Sequence, residues 1–381
     1  MIARAVKQSN SFARISALLA ISCMATGVGY SNPNSSASDD VSGSVLTVEI
    51  AKQYLADADS VDTKQFTSIE DAAAEALGKH DGQLNLSGLT SLSDSQAEAL
   101  ARRKGDLGLA GLTELSEAAT EALARHEGYL YLHGLTSLSD SQAAFLSNHD
   151  GGLGLGGLTS LSESQVAFLS KQEGGLGLPG LTSLSDVVAE ALSKHEGFLL
   201  NLGGLTSLSD SQAEALARHE GEIWLFGLTS LSDFAVEALR NHKGYLGLGG
   251  LTSLSDSQAA FLSKHEGGLG LGGLTSLSDV AAEALSKPEG ELWLDGLTSL
   301  SDSAAQALSS HDGLLSLRGL TDISDSIAEA LGNHKGPLGL HGLTSLSDSQ
   351  AAFLSKHEGG LNLNGLTDIS DSAAEALGNP K

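Results

Sequence analysis

The sequence predicts an α/β repeat solenoid, with short parallel strands on one face and short helices on the other. Three observations carry that reading. A unit close to G-L-T-S-L-S-D-S-Q-A-E-A-L-S-K-H-E-G-G-L-G-L-G recurs every 23 residues from Gln65 to residue 381. Its opening glycines step from Gly88 and Gly111 to Gly342 and Gly365 with a single irregularity, the 24-residue interval between Gly180 and Gly204. Inside each unit a hydrophobic period of two sits beside one of about 3.6, the signatures of a strand and of a helix. A repeat of this length cannot bury its apolar edge alone, so each copy must stack on the next. A globular chain of 381 residues would divide into about two or three domains, whereas a stacked array grows in one direction only.

Each element can be placed by counting from the opening glycine as position 0. Leu107 and Leu109, at positions 19 and 21, alternate with Asp106, Gly108 and Ala110, as in a short strand with one buried face. Positions 5 to 14, for example Ser93 to Arg102, hold good helix formers with apolar residues three apart. Ser93 is placed to cap that helix, Gln96 to close a capping box, and Asp94 to put negative charge at the positive end of the dipole. Glycine stands at position 17 in every complete copy from Gly82 to Gly359, and a helix ending in a left-handed residue would require it. This gives 13 full units plus a partial one, and strands about 4.8 Å apart would make an array roughly 60 Å long. Residues 42–64 keep the phase, with Leu46 at position 4, Thr47 as N-cap and Ala51 at position 9, and read as a degenerate N-terminal capping repeat. The solenoid itself runs over residues 65–381, and its last helix, Ser370 to Leu377, is expected to cover the far end.

The run L-x-L-x-x-L-T-S-L-S-D followed by a short helix resembles a leucine-rich repeat. The resemblance covers residues 65–381 and is greatest to the 23-residue class of bacterial surface proteins, in which a leucine replaces the asparagine of the better-known consensus. Leu89, Leu112 and Leu135 stand at that place. The chain departs from the class further on, where an Ala-Phe pair and a cysteine are usual and most copies here read Ala-Glu-Ala-Leu. The resemblance implies that the outward strand positions form one continuous face and that this face binds.

The first 30 residues differ in kind. Arg4, Lys7 and Arg14 precede the apolar run Ile15 to Ile21, as in a secretory signal peptide, and a polar linker follows over residues 31–41. That run is shorter than the about 20 residues of a membrane-spanning helix. Cys23 ends Ala20-Ile21-Ser22-Cys23, which resembles a bacterial lipoprotein signal ending in the acylated cysteine, with Ala20 where leucine is usual. The alternative is ordinary cleavage near Ala25 or Gly29. Either way the chain reads as exported from a bacterium, to the periplasm, cell surface or medium, and membrane contact is expected only through that lipid. Cys23 is the sole cysteine, so no disulfide braces the repeats.

With 21 basic against 47 acidic residues, the net charge of −26 argues against nucleic acid, whose binders need clustered Lys and Arg. The outward strand positions 18, 20 and 22 are uneven. Some strands offer only glycine, such as Gly152, Gly154 and Gly156, while others carry rings. Tyr129, Tyr131 and His133 share one strand; Glu222, Trp224 and Phe226 another; Tyr245 follows, and then Glu291, Trp293 and Asp295. Both tryptophans and three of the five tyrosines fall in these columns. Trp224, Phe226 and Tyr245 on adjacent turns would make an aromatic patch bordered by Glu222, on which a protein or a carbohydrate ligand could stack. The alternative is that the rings shield neighbouring glycine strands from water.

Two further columns repeat. Position 15 is histidine in ten units, including His126, His149, His195, His219, His242 and His265, and is broken by Arg103, Gln172 and Pro288. A helix-end histidine bonding carbonyls explains it, against the alternative of a shared metal. Position 6 is acidic in every unit and position 10 is Glu in nine, so Asp94 with Glu98 and their equivalents share a helix face; solvation explains that face better than loosely held calcium. Position 11 is Phe in four units, Phe145, Phe168, Phe261 and Phe353, read as core filling in preference to a lateral contact. No nucleophile, phosphate loop or metal cluster stands apart from the repeat background, so the chain is expected to be neither an enzyme nor a cofactor carrier. Two functions remain, an exported scaffold binding through the strand face or a structural envelope or matrix protein without a discrete site.

Overall fold

The computed structural model describes residues 44–378; the leader, the linker and Cys23 lie outside them. Thirteen strands, from Leu84–Asn85 to Leu361–Asn362, form one parallel sheet in sequence order. Leu107 pairs with Leu130 and Leu130 with Leu153, so each repeat position lies directly beside its equivalent one turn on. The irregular step is absorbed by one residue. Gly175 pairs with Leu199 and Leu199 with Glu222, so the insertion is Phe198, pushed out between Gly197 and the strand and 49% exposed.

Each strand runs through a tight turn into a short helix. Leu89 N–H donates to the Leu86 carbonyl at 3.0 Å, a four-residue turn with Gly88 at its third place. The helices span seven or eight residues, as in Asp94–Ala101 and Asp140–Leu146. Ser93 accepts from the Gln96 amide while Gln96 accepts from the Ser93 amide, the reciprocal capping box that the spacing predicts. Leu at positions 1, 12, 19 and 21 is buried in almost every turn and forms one continuous core, each side chain worth about 1.5–3 kcal/mol.

The glycines at position 17 have a different cause from the one expected. The helices end on right-handed residues such as Arg102 and Ala124, three or four positions earlier. Among the described glycines, positive φ occurs only at Gly82, Gly105 and Gly128. Close approach requires the rest. A Cβ on Gly151 would stand 1.8 Å from the Gly128 carbonyl oxygen, and one on Gly197 would stand 1.6 Å from that of Gly174. The opening glycines are confined likewise, since a Cβ on Gly111 would lie 2.3 Å from the Ser87 carbonyl oxygen.

At the first edge of the sheet, Val45–Leu46 pairs with Ser68–Ile69 and Thr47 caps the helix Val48–Ala56. Two single-turn 3-10 helices, Ala58–Ser60 and Thr63–Gln65, replace the strand of this unit. The Thr63 hydroxyl donates to the Asn85 carbonyl and the Tyr54 hydroxyl to that of Gln83, so the exposed edge of the first strand is partly satisfied by side chains.

Candidate functional site

The outward columns form the strand face, and its rings contact one another along the strands. Tyr131 stacks on Tyr129 with centroids 5.6 Å apart and meets His133 at a tilt of 40°, 5.8 Å away. Trp224 lies 5.4 Å from Phe226. Their exposure is correspondingly small for outward positions, with Tyr131 at 9% and Trp224 at 4%, while Phe226 retains 37%. Tyr245 does not extend the Trp224–Phe226 pair but reaches the other way, over Gly268 and Gly270 of the next strand. Trp293 donates its indole N–H to Glu291, and Asp295 accepts from the Ser316 hydroxyl and the Arg318 amide.

Tyr129, His133, Phe226 and Tyr245 occupy space left by glycine one turn on. A Cβ on Gly152 would meet Tyr129 Cε1 at 1.9 Å, one on Gly154 would meet His133 Cε1 at 2.6 Å, and one on Gly247 would meet Phe226 Cε1 at 2.6 Å. His133 Nδ1 accepts from the Gly156 amide at 3.0 Å, which fixes that ring as the tautomer protonated on Nε2. Large residues on one strand are thus matched by small ones on the next, and ring and glycine strand together make a relief of ridges and shallow troughs. Burial raises the Tyr129 hydroxyl pKa to about 12, with Asp106 and Glu222 adding to it. Burial also lowers His133, so the face around it carries no histidine charge at neutral pH. Phe198, the inserted residue, also overhangs Gly175 and belongs to this relief, although no repeat position announced it.

Strand, tight turn and short helix, stacked in register over thirteen parallel strands with leucine columns inside, are the parts of one architecture. The chain is a leucine-rich-repeat-type solenoid. No family model matches it, and no curated protein does. Among solved structures this solenoid is similar to an internalin of Listeria monocytogenes, at 16% identity and a TM-score of 0.41, over 87% of this chain and 92% of that one. It is similar also to a leucine-rich-repeat protein of Leptospira interrogans, at 17% and 0.35, over 82% and 81%. A third likeness is to the Toll–Spätzle complex of Drosophila, at 14% and 0.44, where 76% of this chain spans 42% of the other.

The histidine column lies inside the solenoid, away from the strand face. His126 Nε2 lies 2.7 Å from the Gly105 carbonyl oxygen and His149 Nε2 3.0 Å from that of Gly128. Two of the three interruptions repeat the bond, since Arg103 donates to the Gly82 carbonyl and Gln172 to that of Gly151. In these four turns position 15 bridges to the position-17 carbonyl of the preceding turn, not to its own helix end as expected, whereas His195 Nε2 lies 3.2 Å from Gln172 Oε1. Successive rings stack, with His219 and His242 centroids 6.3 Å apart and His334 and His357 5.9 Å apart. Burial, more than mutual repulsion, lowers their proton affinity, taking His195 to about 3 and His242 to about 4. Among the described residues no three metal-ligating side chains converge.

The acidic column is bonded from turn to turn, which sequence reasoning missed. The capping serine donates to the position-6 acid of the preceding turn, as Ser116 to Asp94, Ser232 to Asp210 and Ser278 to Asp256. In the copies with glutamine at position 8, that side chain instead reaches the preceding turn, Gln142 to the Leu115 carbonyl and Gln258 to that of Leu231. The recurrence of Ser five residues after the glycine, next to Asp, was the available signal. Position-10 glutamates pair with exposed cations, as Glu98 with Arg102 and Glu121 with Arg125. Phe168, Phe261 and Phe353 pack partly against the core.

Proposed function

We propose that this solenoid is an exported recognition scaffold that binds a protein partner through its strand face. One observation supports the reading above all. The chain places both of its tryptophans, and three of its five tyrosines, in the outward strand columns, where Phe226 beside Trp224 keeps 37% of its surface exposed. Aromatic residues enriched at one patch are what protein interfaces use as anchors. Export rests on the leader at residues 1–30, with Cys23 as the lipid attachment point if it is retained. Among the described residues no helix is long and apolar enough to cross a membrane.

The test immobilises the full chain and exposes it to cell-envelope and secreted protein fractions and to a glycan array. The variant Phe226→Ala/Trp293→Ala is compared with Phe234→Ala, whose ring is 71% exposed on a helix. Capture of protein that is lost in the first variant and kept in the second is the expected result. Glycan capture would move the ligand to carbohydrate, and capture unchanged in both would favour a structural envelope protein.

A further inference from the structure

The strand face has a trough whose chemistry selects a partner. Along position 20 the ladder reads Trp224, Gly247, Gly270, Trp293, so a buried and a half-buried indole lie three strands, about 14 Å, apart with two glycines between them. Phe226 lies across Gly247 and Gly249 from one side, and Tyr245 across Gly268 and Gly270, so the floor itself presents aromatic faces. A Cβ at Gly272 would find its nearest neighbour in Asp295 Cβ at 3.8 Å, which leaves that end open.

The charges around this floor are mostly negative. Glu222, Glu291 and Asp295 act together on the Tyr245 hydroxyl, adding to the effect of its burial. The rim just ahead of the strands reads Glu220, Lys243, Glu266 and Glu289, all exposed. Arg318, the nearest outward cation, acts on His341 on the following strand. Aromatic faces attract cations, and guanidinium groups stack on them while bonding carboxylates at their edges.

We propose that the trough between Trp224 and Trp293 receives a basic segment of a polypeptide partner. Arginine or lysine stems lie over Phe226 and Tyr245, and their charges meet Glu222 and Glu291. The inference deepens the binding-face reading and rests on it, and the occupant is chosen by charge complementarity.

Trp224 and Trp293 are the only tryptophans of the chain, so intrinsic fluorescence reports on both ends of the trough. The full exported chain is titrated with an oligo-arginine peptide, an oligo-glutamate peptide and a neutral Gly-Ser peptide. A saturable emission change with oligo-arginine alone, weakened by salt, is expected. Glu222→Gln/Glu291→Gln should weaken it about ten-fold or more, the loss of roughly 1.4 kcal/mol. Glu214→Gln/Glu329→Gln removes equal charge from exposed helix positions and should leave the titration unchanged. Equal responses to the neutral peptide, or equal weakening by the two double variants, would overturn the proposal. Should oligo-arginine fail while Phe226→Ala/Trp293→Ala still abolishes partner capture, the basic occupant is wrong and the binding face stands. If capture also survives that variant, the binding-face reading falls with it.

Discussion

At the scale of single residues, the glycines divide into those that the stacking demands and those that it merely permits. Gly151 has a neighbouring carbonyl oxygen 1.8 Å from where a Cβ would be, and backbone cannot give way as a side chain can. Gly151→Ala is expected to cost about 3 kcal/mol in denaturant unfolding. Gly177→Ala, whose Cβ would find its nearest neighbour at 3.5 Å, should stay within about 0.5 kcal/mol of the parent. Equal effects would mean that turn spacing relaxes freely. Ser232 both caps its helix and donates to Asp210, so Ser232→Ala should cost about 1–2 kcal/mol, more than an isolated cap commonly does. The repeat made both residue types visible, yet their reasons were not legible in it. Glycine at position 17 looks like a helix terminator from sequence, because the contact that forbids a side chain comes from a residue 23 positions away.

At the scale of elements, the histidine column couples the helices to pH. The folded pKa of His195, His219, His242 and His265 is lowered, first by burial. The unfolded chain therefore binds more protons than the folded one below the ordinary value of 6.5. Stability contributed by neutral rings is fully present above that value and is lost as the pH falls through it, towards about 3 for His195 and about 4 for His242. The thermal midpoint should fall by several degrees between about pH 7.5 and pH 5 in proportion to these shifts. Gln172 shows that glutamine can make the same bond to the preceding glycine carbonyl. Replacing His195, His219, His242 and His265 together by Gln should therefore keep the fold and flatten the pH dependence. A slope unchanged by the replacement would place the acid sensitivity elsewhere, in the carboxylates of the helix face. The direction of this effect follows from histidines in register, but its main cause, burial beside a backbone column, requires the helix ends to be seen packed inside.

At the scale of the whole molecule, almost all of the architecture was legible because a repeat writes its core many times over. Leu107, Leu130 and Leu153 have to meet once the strands are parallel and the period is constant, and they do. The site was legible only as a list of positions. Sequence alternation places Trp224 and Tyr131 on the outward face, but how a ring lies depends on what the next turn offers, and glycine there lets it fold down onto the sheet. Tyr245 was expected to join Trp224 and Phe226, yet it reaches towards Gly270 because that strand is bare. Phe198 escaped notice because the 24-residue step showed an insertion without showing where it fell. The central claim is that this relief is the recognition surface. Hydroxyl-radical footprinting of the solenoid, alone and with its captured partner, tests it most directly. The account predicts protection of Phe198, Phe226 and Trp293 with Phe234 unchanged. Protection of Phe234 with the three strand-face rings still reactive would contradict it.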